Sequence, residues 1–318
     1  MRIAVIGGGR SCEHDVSLAS AAGVAGALDG RHEVVRLTID RDGRWSDDQG
    51  PIELGHAVQV LQGCAVVFPM LHGSHGEDGT VAGLLELAGV PYVGSGVRAG
   101  AIAMDKWVTK LVAAASGIRS APGVLLHRGD PYDFGGPVVV KPVASGSSFG
   151  VSLVAKADEL ASALDEAFAL DDRVLVEEVV RGRETDVAII RLSGGQLIIS
   201  PPLEILSPGI FDLETKYDGS ARFAVPAQLT AEDRHAIESA AVRVYDALGC
   251  AGVARVDFFI TDGGPVLNEV NTMPGFTPQS QVPQMFAATG LGYPDLLDLL
   301  AEDALQGAVR SFDPSTRA

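Results

Sequence analysis

Arg255, Asp257, Glu269 and Asn271 alternate along two β-rich runs, Gly252 to Ile260 and Pro265 to Val270, that meet at an Asp262-Gly263 turn. Two carboxylates and an amide are hard oxygen donors of the kind Mg²⁺ takes, with its remaining positions left to phosphate and water. Setting Asp257 opposite Glu269, and Arg255 opposite Asn271, requires a loop with an odd residue count or a β-bulge. A second group lies around Gly146-Ser147-Ser148-Phe149-Gly150, whose small residues let backbone N–H groups approach phosphate oxygens, with Lys141 on the preceding strand as a point charge. A third is Gly7-Gly8-Gly9, too short of glycines for a dinucleotide fingerprint, but followed by Glu13, a carboxylate suited to an ammonium at a crevice mouth.

Two other motifs fit their usual chemistry poorly. Gly146 to Gly150 spells G-x-S-x-G, yet a nucleophile elbow runs from strand through a sharp turn into a helix, and here the strand-like Val151 to Val154 follows. His72 and His75, with Glu77 and Asp78, have the spacing H-x-x-H in a Gly-rich loop, unlike the helical H-E-x-x-H of a zinc site.

The elements that must position these groups are legible in outline. Arg2 to Ile6, Glu33 to Ile39 and Ala65 to Phe68 read as strands, with a helix over Val16 to Leu28 bearing Ala19, Gly23, Val24, Ala27 and Leu28 on one stripe. This β-α-β-x-β opening is the start of a doubly wound parallel sheet, whose ligand sits beyond the strand C-termini, at Gly7 to His14 and Pro69 to Gly79. Val97 to Gly117 reads as helical. Pro137 to Lys141, Val174 to Glu177, Thr185 to Leu192 and Gln196 to Ser200 read as strands, and Ser207 to Ser220 as a long loop. Thr230 starts a helix that buries Ile237, Ala240, Ala241, Val244 and Leu248 and ends at Gly249.

Composition narrows the function. The chain has 318 residues, 47% apolar, and a formal charge of −17, which repels nucleic acid and anionic membranes. No apolar stretch is long enough to span a bilayer, and Met1 to Ile6 runs into a glycine turn unlike a signal peptide, so a cytoplasmic protein is expected. The three cysteines, Cys12, Cys64 and Cys250, are widely spaced and read as free thiols. Only five lysines occur beside 19 arginines, so a retained lysine marks a place that wants a compact point charge.

Taken in order, these motifs resemble the D-alanine:D-alanine ligases of the ATP-grasp superfamily. The likeness is carried by Gly7 to Ser17, His72-Gly73 with Gly76 to Gly79, Pro91 to Gly96, Ala103 to Lys106, and Lys141-Pro142 with Gly146 to Ser148. It continues through Glu177-Glu178 with Gly182 to Glu184, Lys216-Tyr217, Arg255 to Phe259 and Asn268 to Thr277. It implies an α/β, ATP-grasp fold: an N-terminal parallel doubly wound domain over 1–94, a central ATP-grasp domain over 95–178 and a C-terminal catalytic one over 179–318. ATP would lie between the last two.

The resemblance also implies roles. Two Mg²⁺, with Mn²⁺ as a substitute, would be held by Asp257, Glu269 and Asn271. Lys106, Lys141 and Lys216 would cradle phosphates, with Glu177 and Val180 at the adenine and Glu184 at the ribose. Glu13 would hold the first D-alanine's ammonium in a network with Ser147 and Tyr217, with His72 in the substrate pocket. Arg255 and the Gly275 N–H would stabilise an oxyanion, and Ser280 would bind the second substrate's carboxylate. Tyr217 accompanies amino-acid acceptors. Gln281 stands where the family usually carries Leu or Met: either its amide meets a polar group on a different D-amino acid, or it points away. A homodimer is the family expectation.

Overall fold

The computed structural model describes residues 1–206 and 222–312, with side chains to 307. In chain order its elements are β1 (Arg2–Gly8), α1 (His14–Leu28), β2 (Glu33–Ile39), β3 (Trp45–Asp47), β4 (Gly50–Ile52), α2 (Leu54–Gln62), β5 (Val66–Pro69) and α3 (Thr80–Ala88). Then come α4 (Val97–Met104), α5 (Lys106–Ala115), β6 (Gly123–His127), β7 (Val138–Pro142), β8 (Ser152–Val154), α6 (Leu160–Phe168) and β9 (Arg173–Glu178). The remainder is β10 (Arg183–Arg191), β11 (Leu197–Ile199), β12 (Leu203–Ile205), β13 (Phe223–Ala224), α7 (Ala231–Leu248), β14 (Gly252–Thr261), β15 (Gly264–Asn271), α8 (Gln281–Ala287) and α9 (Tyr293–Phe312).

Three sheets result, ordered β4-β3-β2-β1-β5, β6-β9-β7-β8 and β13-β12-β10-β14-β15, with β11 paired to β10. In the first, β1 pairs in parallel with both β2 and β5, as the β-α-β-x-β reading requires; the β3–β4 hairpin extends one edge. The other two sheets are antiparallel throughout their described pairings.

Two expectations need correction. The stretch 97–117 is two helices, because Asp105 leaves the helical region (φ −81°, ψ 98°) and its side chain accepts from the Val108 N–H, capping α5. This break puts Lys106 on the first turn of a new helix. In α1 the buried face is His14, Ser17, Ser20, Val24, Ala25 and Leu28, while Ala19 is exposed. The inward serines have work there: Ser17 Oγ accepts from the Gly8 N–H at 2.8 Å and donates to the Met70 carbonyl.

Elsewhere the apolar pattern packs as its period dictates. The face of α7 that the 3.6-residue period assigns lies on the third sheet's core with Val256 and Phe258, Thr230 caps its start and Gly249 (φ +72°) ends it. Ala99, Ala103 and Ala113 of α4 and α5 join that same core. On the sheet's other side, Ala188, Ile190 and Val253 pack with Val24, Phe68 and Phe286, so the first and third sheets share one apolar layer. The ends of that layer form the cleft.

Candidate active site

The hairpin of β14 and β15 has the register the spacing demanded. Asp257 pairs with Glu269 and Arg255 with Asn271, and a bulge between Asp257 and Phe258 absorbs the extra residue, Asn268. On the far side of β14, Asp186 of β10 stands directly opposite Asp257, so three acidic side chains cross the sheet in one row. Arg255 Nε and Nη2 fork onto Asp257 at 2.7 Å each, and Nε lies 3.7 Å from Asp186. Burial disfavours the guanidinium charge, but Asp257, then Asp186 and Glu269, overcome it and raise its pKa further. Asn271 Nδ2 donates to Asp257 at 3.0 Å, and Lys106 Nζ lies 3.2 Å from Glu269.

The opposite wall is the turn after β1. Gly8 sits at φ +90°, where a Cβ would strike the Ile39 carbonyl, so the chain reverses tightly at the strand end. That turn delivers Glu13, which is 5% exposed, to the start of α1 without using it as a cap. Glu13 Oε1 accepts from Ser147 Oγ, while Oε2 is buried with no hydrogen-bond partner. Gly146 passes so close to that oxygen that a Cβ there would overlap it. Ser147 and Ser148 both have positive φ (48° and 60°), a costly backbone for consecutive serines that brings the 144–150 loop onto Glu13.

Loops link the two walls. His72 Nδ1 donates to the Met273 carbonyl at 2.9 Å and Nε2 lies 3.0 Å from Ser20 Oγ; burial lowers its pKa and keeps it neutral. Glu77 accepts from the Gly73 and Met273 N–H groups at 2.9 and 3.2 Å, and burial, then the nearby Glu13, push its pKa up to about 8. Lys106 donates to the Ser145 carbonyl at 2.6 Å, so one lysine spans the Gly-rich loop and the Glu269 carboxylate. Burial opposes its charge, but Glu269, with Glu13 and Glu77 beyond, raises its pKa.

In the second sheet, Lys141 Nζ lies 2.6 Å from Glu177 Oε2, and Lys110 Nζ takes the other oxygen. The two ammonium groups outweigh burial and lower the Glu177 pKa. Lys141 also reaches Asn268 Oδ1, the bulge residue, at 3.4 Å. Val180 and Glu184 lie in the β9–β10 connection and at the start of β10. At the far end, Ser280 Oγ accepts from the Thr277 N–H at 3.0 Å, and a Cβ on Gly275 would stand 3.3 Å from that oxygen. Gln281 Nε2 donates to Asp186 at 2.6 Å.

Glu13, His72, Lys106, Ser147, Arg255, Asp257, Glu269 and Asn271 therefore share one cleft. Lys216 and Tyr217 lie outside the described residues. Lys110 and Asp186 were given no role from sequence, while Glu77 and Asn268 entered only as members of motifs, Glu77 in the His-rich loop and Asn268 at the head of the second hairpin strand. The scarcity of lysine was a signal for Lys110, since a sparing use of that residue pointed to each one kept. The zinc reading has no support: His72 has both ring nitrogens engaged, and among the described residues no three His, Cys, Asp or Glu side chains cluster to hold a metal. Ser148 precedes a strand, not a helix, so it is no nucleophile elbow.

The donor set suits ligands of two kinds. A buried carboxylate oxygen lacking a partner fits an ammonium, and two carboxylates and an amide around a bulged hairpin fit a hard divalent cation. Two antiparallel sheets with lysines between them, joined to a parallel α/β unit, make this an ATP-grasp fold. Models of the D-ala D-ala ligase N-terminus and C-terminus match residues 2–95 and 131–302. A D-alanine–D-alanine ligase of Mycobacterium bovis is 41% identical, over 97% of this chain and 96% of its own length. The D-Ala:D-Ser ligase VanG of Enterococcus faecalis superposes with TM-score 0.82 at 35% identity, covering 95% of this chain and 99% of its own. The Bacillus anthracis D-alanine–D-alanine ligase complexed with ATP does so with TM-score 0.82 at 32% identity, covering 98% and 99%. The chain belongs to the D-alanine–D-alanine ligase family.

Proposed function

We propose that the chain joins two D-alanines at the expense of ATP, giving D-alanyl-D-alanine, ADP and phosphate. The observation that carries this reading is the buried, half-satisfied Glu13 carboxylate, tied through Ser147 to the Gly-rich loop that Lys106 joins to Glu269 of the Arg255–Asp257–Glu269–Asn271 hairpin. Glu13 Oε2 takes the first D-alanine's ammonium, which orients its carboxylate toward the lysine-lined phosphate site. That carboxylate attacks the γ-phosphorus: a C–O–P bond forms, the bond to ADP breaks, and an acyl phosphate results. The amine of the second D-alanine attacks the acyl carbon, the amide bond forms as the bond to phosphate breaks, and the amine's proton passes to the departing phosphate.

Arg255 and the Gly275 N–H face the oxyanion of that second step, and Ser280 holds the acceptor's carboxylate. Lys106 and Lys141 bind phosphate oxygens, with Glu177 keeping Lys141 in place and bordering the adenine. Bound at Asp257, Glu269 and Asn271, Mg²⁺ supplies the neutralisation of charge that phosphoryl transfer needs. The 144–150 loop, tied to Glu13 through Ser147, keeps water from the acyl phosphate. The product's use in peptidoglycan, a homodimeric state and a cytoplasmic location belong to the same reading and rest on the family.

The test is ATP-dependent phosphate release with Mg²⁺ over single and paired D- and L-amino acids and D-lactate, with products identified by mass. Dipeptide from D-alanine alone is the expected result. Turnover with some other acceptor only, or nucleotide binding without turnover, would overturn it.

A further inference from the structure

Asp186 has no part in the assignments above, yet it is among the most deeply buried charged groups of the chain, 1% exposed. A carboxylate so placed needs compensation, and two groups on separate elements provide it. One is Arg255 Nε at 3.7 Å; the other is the Gln281 side-chain amide at 2.6 Å. Asp186 stands directly opposite Asp257 across the β10–β14 pair, so the guanidinium lies between two carboxylates fixed to adjacent strands. Gln281 is the first residue of α8 and directly follows Ser280, whose hydroxyl closes the 277–280 turn beside Gly275.

We propose that Asp186 and Gln281 are a pair of positioning residues that fix Arg255 relative to the Gly275–Ser280 turn, and so set the register of the acceptor half-site. The inference rests on the roles given above to Arg255 and Ser280. Its geometry is a three-link chain from turn to amide to carboxylate to guanidinium, and an aliphatic side chain at 281 breaks it at the middle link. The Gln281 amide nitrogen is thereby committed to Asp186, not directed at a substrate side chain. Asp257 offers Arg255 a fork but is also assigned to a cation; that assignment does not include Asp186, so a second carboxylate stays beside the guanidinium throughout the reaction.

The experiment compares wild type with Gln281→Leu, Asp186→Asn and the double variant Asp186→Asn/Gln281→Leu. It reads kcat, the two D-alanine KM values separated by a wide concentration range, displacement of a fluorescent ATP analogue, and Tm. Gln281→Leu should raise the acceptor KM about tenfold, the size expected for one hydrogen bond to a charged group. Asp186→Asn should lower kcat by a similar factor, because it retains an acceptor for Gln281 but loses the charge facing Arg255. Donor KM and nucleotide affinity should stay within about twofold of wild type, a split that mere loss of packing does not produce. The double variant should be no worse than the poorer single one, as two links of one chain require. Single variants with wild-type acceptor KM and kcat, or losses that simply add, would overturn the pair. If Asp186→Asn does not fold, the half-buried Gln281→Leu alone decides by its acceptor KM. Wild-type protein that makes no dipeptide strikes the functional reading itself, whereas wild-type turnover with unmoved variants strikes only the pair.

Discussion

Glu13 and Asp257 lie on opposite walls of one cleft, 5% and 4% exposed, and are satisfied in opposite ways. Asp257 has Arg255 forked onto it and Asn271 donating to it, so its charge is balanced from within the hairpin. Glu13 has one hydroxyl on one oxygen, while its other oxygen is buried without a hydrogen-bond partner. The difference separates two kinds of site. On the proposed reading, a substrate ammonium at Glu13 would complete an unfinished cage, and binding would gain most of what desolvation has already cost. At Asp257, on the same reading, an incoming cation would compete with charges already present, and in taking over Asp257 it would leave the guanidinium of Arg255, held in place, facing the developing negative charge.

The comparison breaks most decisively at Asp257. Asp257→Asn removes both the arginine's fork and a cation ligand, and turnover should fall about 10²–10³-fold, as for one partner of a buried charge pair. The Mg²⁺ concentration for half-maximal rate should rise with it. Phosphate-release kinetics across a Mg²⁺ series measure both, and wild-type rates at low Mg²⁺ would remove Asp257 from the metal site. Glu13→Gln should fail differently. Its loss, about a hundredfold, should fall on kcat/KM for the donor D-alanine, because an amide cannot balance a buried ammonium. Its Mg²⁺ dependence should be that of wild type, and a shifted Mg²⁺ curve would show that the two walls are not separable.

How far each wall could be read from sequence follows from the range of its interactions. The hairpin was legible down to one extra residue, an odd loop or a bulge, of which the structure has the bulge, because residues 255 to 271 are close in sequence and period two leaves few registers. The α7 face and its two caps were legible for the same reason. The apolar stripe of α1 was half legible: Val24 and Leu28 are buried as the period assigns, but Ser17 and Ser20, and not Ala19, face inward to serve Gly8, Met70 and His72, partners that the helix period does not contain. The break at Asp105 was hidden in a continuous helical pattern, as a cap is set by one side-chain bond and not by hydropathy. Asp186 gave no signal at all. Its partners are 69 and 95 residues away, and in sequence it is one polar residue in an apolar strand.

Ser147→Ala sharpens the comparison on a smaller scale. It removes the hydroxyl from Glu13 Oε1 while leaving the carboxylate in place, so the donor KM should rise about tenfold, as for one hydrogen bond to a charged group. Uncoupled ATP hydrolysis should rise with it, since the 144–150 loop loses its tie to Glu13 and water reaches the acyl phosphate. The ratio of phosphate to dipeptide reports that leak. A ratio of one in the variant would mean that the loop closes without Ser147.

The effect furthest from the chemistry, on stability and not on turnover, concerns Glu77, whose charge couples to that of Glu13 and which shares its burial. With its pKa pushed from an ordinary 4.5 up to about 8, Glu77 keeps its proton in the folded chain across a range where the unfolded chain has lost it. The folded state then binds more protons than the unfolded one, so this group's contribution is whole below pH 4.5 and is lost as pH rises through 8. Its slope is at most about 1.4 kcal/mol per pH unit, the value for one proton. Glu77→Gln has nothing to ionise there, and its amide can still accept one of the two backbone N–H groups. Its stability relative to wild type should therefore climb steadily from pH 5 to pH 8 in denaturant titrations. Parallel curves for the two proteins would mean that Glu77 is ionised throughout. Glu13 would then share the cleft with a second full negative charge, and the need for a cation at Oε2 would be greater than its own burial creates.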